Sequence, residues 1–138
     1  MNDVRYELDP VGWVESPLVD PESAPLQGDE GAPNAWLVFN QNILPGLTGL
    51  SAGQEVILLT WLDRADRDVL LVRSRGDESR PETGVFSVRS SSRPNPIGLH
   101  PVQILAIDGN RMLVSRLEAL NGTPILDVKP VLGRIEER

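Results

Sequence analysis

Glycine and proline recur at short intervals along the whole chain, twelve of each in 138 residues. That punctuation limits what the chain can become. Proline inside a helix removes a hydrogen bond and clashes with the turn before it, and glycine weakens helices and strands alike. Because the breaks are spread out and not clustered, no long helical period survives. Between them lie short apolar runs at residues 35–39 (AWLVF), 54–62 (QEVILLTWL), 68–73 (DVLLVR), 84–88, 99–107, 111–117 and 125–130. Many short strands joined by turns suit such a pattern. The expected fold is all-β: a small single-sheet closed β-barrel with long loops and at most a short helix. Closure is the expectation because it removes exposed strand edges. The length is that of one domain, residues 1–138.

Taken in order, residues 4–14 alternate apolar positions and read as a first strand kinked at Pro10. Residues 16–33 form a long acidic, proline-rich loop, of the kind that is functional or disordered in a small domain. Residues 40–53 carry Ile43, Leu44, Leu47 and Leu50 at near-helical spacing, which predicts a turn or a short helix. Asp108-Gly109 is a tight-hairpin signal, and Asn121-Gly122 marks a second turn. From Leu126 onward strict alternation would set Leu126 and Val128 on one face and Asp127 and Lys129 on the other.

Forty per cent of the residues are hydrophobic but few are aromatic, so the core is aliphatic. There is no cysteine, hence no disulfide and no thiolate metal site, which is compatible with a reducing cytosol. No metal site is expected. No apolar run approaches the roughly 20 residues of a membrane span, and the N-terminus lacks a signal-peptide pattern, so the expected location is cytoplasmic. His100 is the single histidine; a catalytic triad is therefore not expected, and His100 reads as structural. No GxGxxG opens a helix and no P-loop is present, so neither a dinucleotide fold nor a nucleotide-triphosphate loop is supported. The net charge of −7 opposes long-range attraction to a polyanion.

The most constrained stretch is 84–101, GVFSVRSSSRPNPIGLHP. Pro94 and Pro96 fix φ at two positions and push Arg93 and Asn95 towards extended geometry. Arg89 and Arg93 are fork-shaped donors suited to carboxylate or phosphate, and Asn95 both donates and accepts. Chemistry alone leaves two readings: a rigid binding edge, or a rigid corner whose arginines cap carbonyls or lie in solvent.

GVFSVRSSSRPNPIGL, followed by LEALNGTPILDVKP at 117–130, resembles the TsaA-like family, which includes the tRNA threonylcarbamoyladenosine methyltransferases. The resemblance runs from about residue 11 to 130. It implies an S-adenosyl-L-methionine-binding β-barrel unrelated to the Rossmann methyltransferases, and a homodimer with the cofactor pocket near the subunit interface. Carried over by position, the cofactor contacts fall on Gln27, Gly28, Leu62, Asp63, Arg89, Leu99, Ser115, Arg116, Leu117 and Glu118. The family's loop arginine is Leu26 here, the aspartates of its second motif are Glu118 and Asn121, and the tyrosine after Lys-Pro is Val131. For transfer to a nitrogen acceptor, the resemblance suggests Asp127 as proton acceptor, with Lys129, Arg93 and Asn95 orienting the substrate. Asp63 reads equally as a surface partner of Arg64 or Arg67. The implied activity is methyl transfer, with tRNA as a possible substrate. The alternatives are a small-molecule acceptor, a module that binds an adenosyl compound without turnover, and a scaffold that has lost the ligand.

Overall fold

The computed structural model describes residues 3–23, 31–73 and 78–133. Its strands are β1 (Gly12–Glu15), β2 (Ala35–Phe39), β3 (Glu55–Trp61), β4 (Leu71–Arg73), β5 (Glu82–Gly84), β6 (Ile97–Asp108), β7 (Arg111–Val114) and β8 (Pro124–Pro130). Six of them pair antiparallel in the order β1-β2-β7-β6-β3-β8, and β8 pairs back with β1. β4 and β5 form a separate two-stranded sheet. The helical residues among those described are short 3₁₀ turns at Pro21–Ser23, Gln41–Leu47 and Val85–Ser87. The mostly-β architecture with long loops is the one the turn-rich composition implies.

Side-chain alternation makes the core. On β3, Val56, Leu58 and Thr60 point inward, while Glu55, Ile57, Leu59 and Trp61 point outward. On β6, His100, Val102 and Ile104 point inward. With Leu37 and Phe39 of β2, Met112 and Val114 of β7, Ile125 of β8 and Leu117, these apolar residues fill the interior. Each large aliphatic or aromatic side chain so buried stabilises the fold by about 1.5–3 kcal/mol before the ordering entropy is set against it. Ile43, Leu47 and Leu50 pack on this core from the 3₁₀ turn and the residues after it. The β6–β7 hairpin turns at Gly109, whose φ of 60° puts the chain in a region glycine adopts without penalty.

Three local expectations are corrected. Residues 3–11 are not strand; β1 starts at Gly12. Its partner β2 ends at Phe39 and turns away into a 3₁₀ turn, and Pro10 has no N–H to donate, so the alternating Val4, Tyr6 and Leu8 remain exposed. Residues 84–88 are not a continuous strand either. β5 ends at Gly84, and the chain tightens into the turn Val85–Ser87, which buries Val85 and exposes Phe86. Finally, the β3–β8 register shifts between Leu59 and Thr60, which pair with Asp127 and Ile125 and leave Leu126 as the extra residue of a bulge. The bulge resets the alternation, so Ile125 and Val128, not Leu126 and Val128, share the inward face.

Candidate functional site

Two loops knit together beside the end of β3. The polypeptide after Trp61 turns, with Leu62 N–H donating to Pro96 O (2.8 Å) and Ala65 N–H to Leu62 O (3.0 Å). Arg93 N–H donates to Asp66 O (3.0 Å), and Asp66 N–H to Ser92 Oγ (3.3 Å). Arg67 lies over the Trp61 ring, 5.1 Å from its centroid. It donates through Nε to Pro94 O (2.7 Å) and through Nη2 to Asn95 Oδ1 (2.9 Å). Residues 62–67 thus brace the Arg93–Pro96 corner, and Asn95 is held by its side-chain oxygen.

The arginines of the corner have different fates. The Arg93 guanidinium donates to Val85 O and Val88 O, the latter at 3.0 and 3.2 Å. It therefore caps the carbonyls of the Val85–Ser87 turn, one of the two roles its chemistry allowed. Arg89 is exposed. Neither arginine of the 62–67 loop turns to Asp63, which is exposed: Arg64 donates to Val19 O (2.9 Å), and Arg67 is engaged as above. Arg67 was visible in the sequence only as a generic surface cation; its place over Trp61 and against Asn95 depends on two loops meeting.

Inside the ring, Thr60, His100 and Glu118 form a polar chain. Thr60 is wholly buried and His100 is 4% exposed. Thr60 Oγ1 and His100 Nε2 are 2.8 Å apart, and His100 Nδ1 and Glu118 Oε1 are 2.6 Å apart. A carboxylate only accepts, so Nδ1 carries a proton; in the neutral ring Nε2 then accepts from the Thr60 hydroxyl. Gly98, paired with Thr60 across β3 and β6, makes room for this contact. A Cβ there would fall 2.5 Å from His100 Nε2 and closer still to Thr60 Oγ1.

The remaining residues named from sequence divide between places. Leu117 is buried in the core, and its N–H donates to Pro33 O (2.9 Å). Arg116 takes a positive φ of 37°, with its N–H donating to Asn34 Oδ1 (3.1 Å), which turns the chain after β7 and brings Glu118 to His100. Ser115 Oγ accepts from Gln103 N–H (2.9 Å) and borders a surface depression of about 270 Å3 with Glu55, Pro101, Val102 and Gln103. Leu99, Leu59 and Asp127 form one row across β6, β3 and β8, on the outer face. Lys129 is on the same face, 3.3 Å from Asp127 Oδ2. Asp127 Oδ1 accepts from Val128 N–H (2.9 Å). Strand alternation therefore separates Leu99, Asp127 and Lys129 from the inward-pointing His100 and its partner Glu118. Gln27 and Gly28 lie outside the described residues.

A family model described as the tRNA-methyltransferase O N-terminal domain matches residues 13–137. A protein from Archaeoglobus fulgidus named S-adenosyl-L-methionine-binding protein is 40% identical over 129 residues, covering 94% of this chain and 91% of its own. A Methanothermobacter thermautotrophicus protein named probable S-adenosyl-L-methionine-binding protein is 38% identical over 136 residues, covering 99% and 97%. Among solved structures, TrmO from Pseudomonas aeruginosa shares the fold with a TM-score of 0.73 at 27% identity; the match covers 94% of this chain and 57% of that one. This chain thus spans little more than half of that protein's length, while matching nearly the whole of the two archaeal relatives above; of a second Archaeoglobus fulgidus relative it matches 35%. Since the family match takes in both the Arg93–Pro96 corner and the Glu118 segment, the chain belongs to the tRNA-methyltransferase O N-terminal domain family.

Proposed function

We propose that this protein binds S-adenosyl-L-methionine and uses it as a methyl donor, the acceptor being a nucleoside-type nitrogen of which threonylcarbamoyladenosine in tRNA is the family precedent. The observation that carries the reading is the family match over residues 13–137, which contains both sequence motifs. The names of the archaeal relatives support the cofactor. The cyclic strand order supports the barrel expected of such a domain.

The residues fit the ligand. Glu118 Oε1 meets His100 Nδ1, its side chain is 18% exposed, and Oε2 makes no hydrogen bond among the described residues. An open carboxylate oxygen suits the vicinal hydroxyls of a ribose. The family resemblance adds Leu62, Gln27 and Gly28 to the cofactor contacts, and Asp63 and Arg89 offer charges for the amino-acid end. Backbone at Ser115, Arg116 and Leu117 shapes the approach to Glu118. When bound, the sulfonium supplies a methyl group open to in-line displacement. The chain's own task is then to align the acceptor and exclude water. Asp127 accepts the acceptor's proton, Lys129 holds that carboxylate, and Asn95 orients the substrate on a corner that Arg93 stiffens.

Because Leu99, Asp127 and Lys129 lie on the outer face, they join the Glu118 mouth most simply across a homodimer. Ile97 and Leu99 are among the exposed large apolar residues, and with Ile57, Leu59 and Trp61 they give that face an apolar centre for a second copy. The net charge of −7 favours a small acceptor over long-range capture of tRNA. No helix among the described residues is long and apolar enough to cross a membrane, in keeping with a cytoplasmic role.

One observation favours binding without turnover: both oxygens of Asp127 are engaged, one by Val128 N–H and one by Lys129. Calorimetric titration with S-adenosyl-L-methionine, with adenosine and ATP as controls, tests the common part of the two readings. Selective binding near 1 µM, about −8 kcal/mol, is the expected result; absence of binding overturns both. Methyl transfer to bulk tRNA or to nucleosides then separates enzyme from binding module.

A further inference from the structure

The three polar side chains inside the ring come from three separate segments: Thr60 from β3, His100 from β6 and Glu118 from the turn after β7. A buried imidazole is unfavourable unless its nitrogens are satisfied. Here both are satisfied by side chains, and none of the bonds serves the backbone. Neither Thr60 nor His100 has the exposure to touch a ligand. Glu118 has: it reaches the surface, with one oxygen held and the other making no hydrogen bond among the described residues. The chain also depends on a dedicated vacancy, since any side chain at position 98 would occupy the place where Thr60 and His100 meet.

We infer that His100 is a positioning residue: anchored from behind by Thr60, it fixes the Glu118 carboxylate so that Oε2 faces the hydroxyls of the ligand. The inference rests on the S-adenosylmethionine reading above. A free glutamate side chain loses rotamer freedom when it binds, and that loss weakens the complex. Glu118 has lost it on folding, through a 2.6 Å bond to a ring that cannot itself swing because its other nitrogen is held. The single histidine thus has a role in binding without entering the binding surface.

Thr60→Val tests this by releasing His100 Nε2 while nearly conserving side-chain volume and replacing neither member of the His100–Glu118 pair. The dissociation constant for S-adenosyl-L-methionine is measured by calorimetry at a temperature where circular dichroism shows each variant folded. Thr60→Val should weaken binding about 5- to 10-fold, as expected for coupled neighbours. In a Glu118→Ala background the same change should alter affinity by less than about 2-fold, because the carboxylate it acts through is gone. A purely structural Thr60–His100 pair would lower the melting temperature and leave affinity unchanged in both backgrounds; that result overturns the inference while the cofactor reading stands. No binding by the wild-type protein overturns both. Should Thr60→Val not fold, His100→Gln, whose amide reaches one partner but not both, takes its place with the same expectations. The wild-type protein offers a second readout. The Nδ1–H proton of His100 should resonate far downfield and shift when S-adenosyl-L-methionine is added; a resonance that ignores saturating ligand refutes the positioning role.

Discussion

Adding a single methyl group at Gly98 measures how closely the polar chain is fitted into the interior. The new Cβ would lie 2.5 Å from His100 Nε2, 3.1 Å from Cε1 and closest of all to Thr60 Oγ1. Both partners of the 2.8 Å Thr60–His100 bond must move apart to admit it. Overpacking of a well-filled interior costs about 1–3 kcal/mol. Leaving a buried hydroxyl or imidazole nitrogen without its partner costs about 1–3 kcal/mol more. The gain from a stiffer unfolded chain offsets less than about 1 kcal/mol. The net expectation for Gly98→Ala is a loss of about 1–6 kcal/mol, a large share of the ~5–15 kcal/mol typical of a domain. Urea denaturation followed by circular dichroism reads it as a lower midpoint at unchanged slope. In a Thr60→Ala background the atom nearest the added methyl is absent, so Gly98→Ala should there lose about 0.5 kcal/mol less, or better. Wild-type stability in Gly98→Ala, or strict additivity in the double variant, would refute the reasoning.

Gly12→Ala should be worse than Gly98→Ala, because its Cβ would meet backbone, 2.9 Å from Phe39 Cα and closer still to Val38 O, and no side chain can step aside; a smaller fall in melting temperature than that of Gly98→Ala contradicts this. Arg93→Met keeps the apolar stem but strips the donors from Val85 O and Val88 O. It should lower stability by about 1–3 kcal/mol and speed amide exchange at Val88, whose N–H donates to Val85 O; unaltered exchange there would show that the cap is dispensable. Asp127→Asn breaks an exposed pair with Lys129, so stability in urea should change by less than about 1 kcal/mol. Any methyl transfer should fall at least about 100-fold with cofactor affinity retained, and unchanged turnover removes Asp127 as the proton acceptor.

Much of the architecture was legible because its signals are local. AWLVF became β2 within the same bounds, and QEVILLTWL became β3 less its terminal residues. Asp108-Gly109 opened a hairpin where a tight turn was expected. The resemblance carried by the two motifs matched the family. The failures share a cause of another kind. Alternation at Val4, Tyr6 and Leu8 is a strand pattern, but a strand needs a neighbouring strand, and among the described residues β1 and its pairing with β2 begin only at Gly12. Alternation from Leu126 onward was broken by a bulge, which exists only because β3 and β8 meet in a particular register. The polar bend at 89–93 concealed a second element: Arg93 reaches back to Val85 and Val88 and so favours a 3₁₀ turn over the strand its apolar neighbours suggest.

Turn punctuation, apolar periodicity and the stiff Arg93–Pro96 corner were therefore determined by the sequence alone, since each depends on backbone preferences within a few residues. What only the tertiary structure decided is which polar groups meet. His100 and Glu118 are eighteen positions apart, Thr60 and His100 forty, and Arg67 and Asn95 twenty-eight. No local preference encodes such pairs. They follow from strand order and from the inward or outward sense of each strand position, and both are settled only when β3, β6, β7 and β8 close on one another around a shared core.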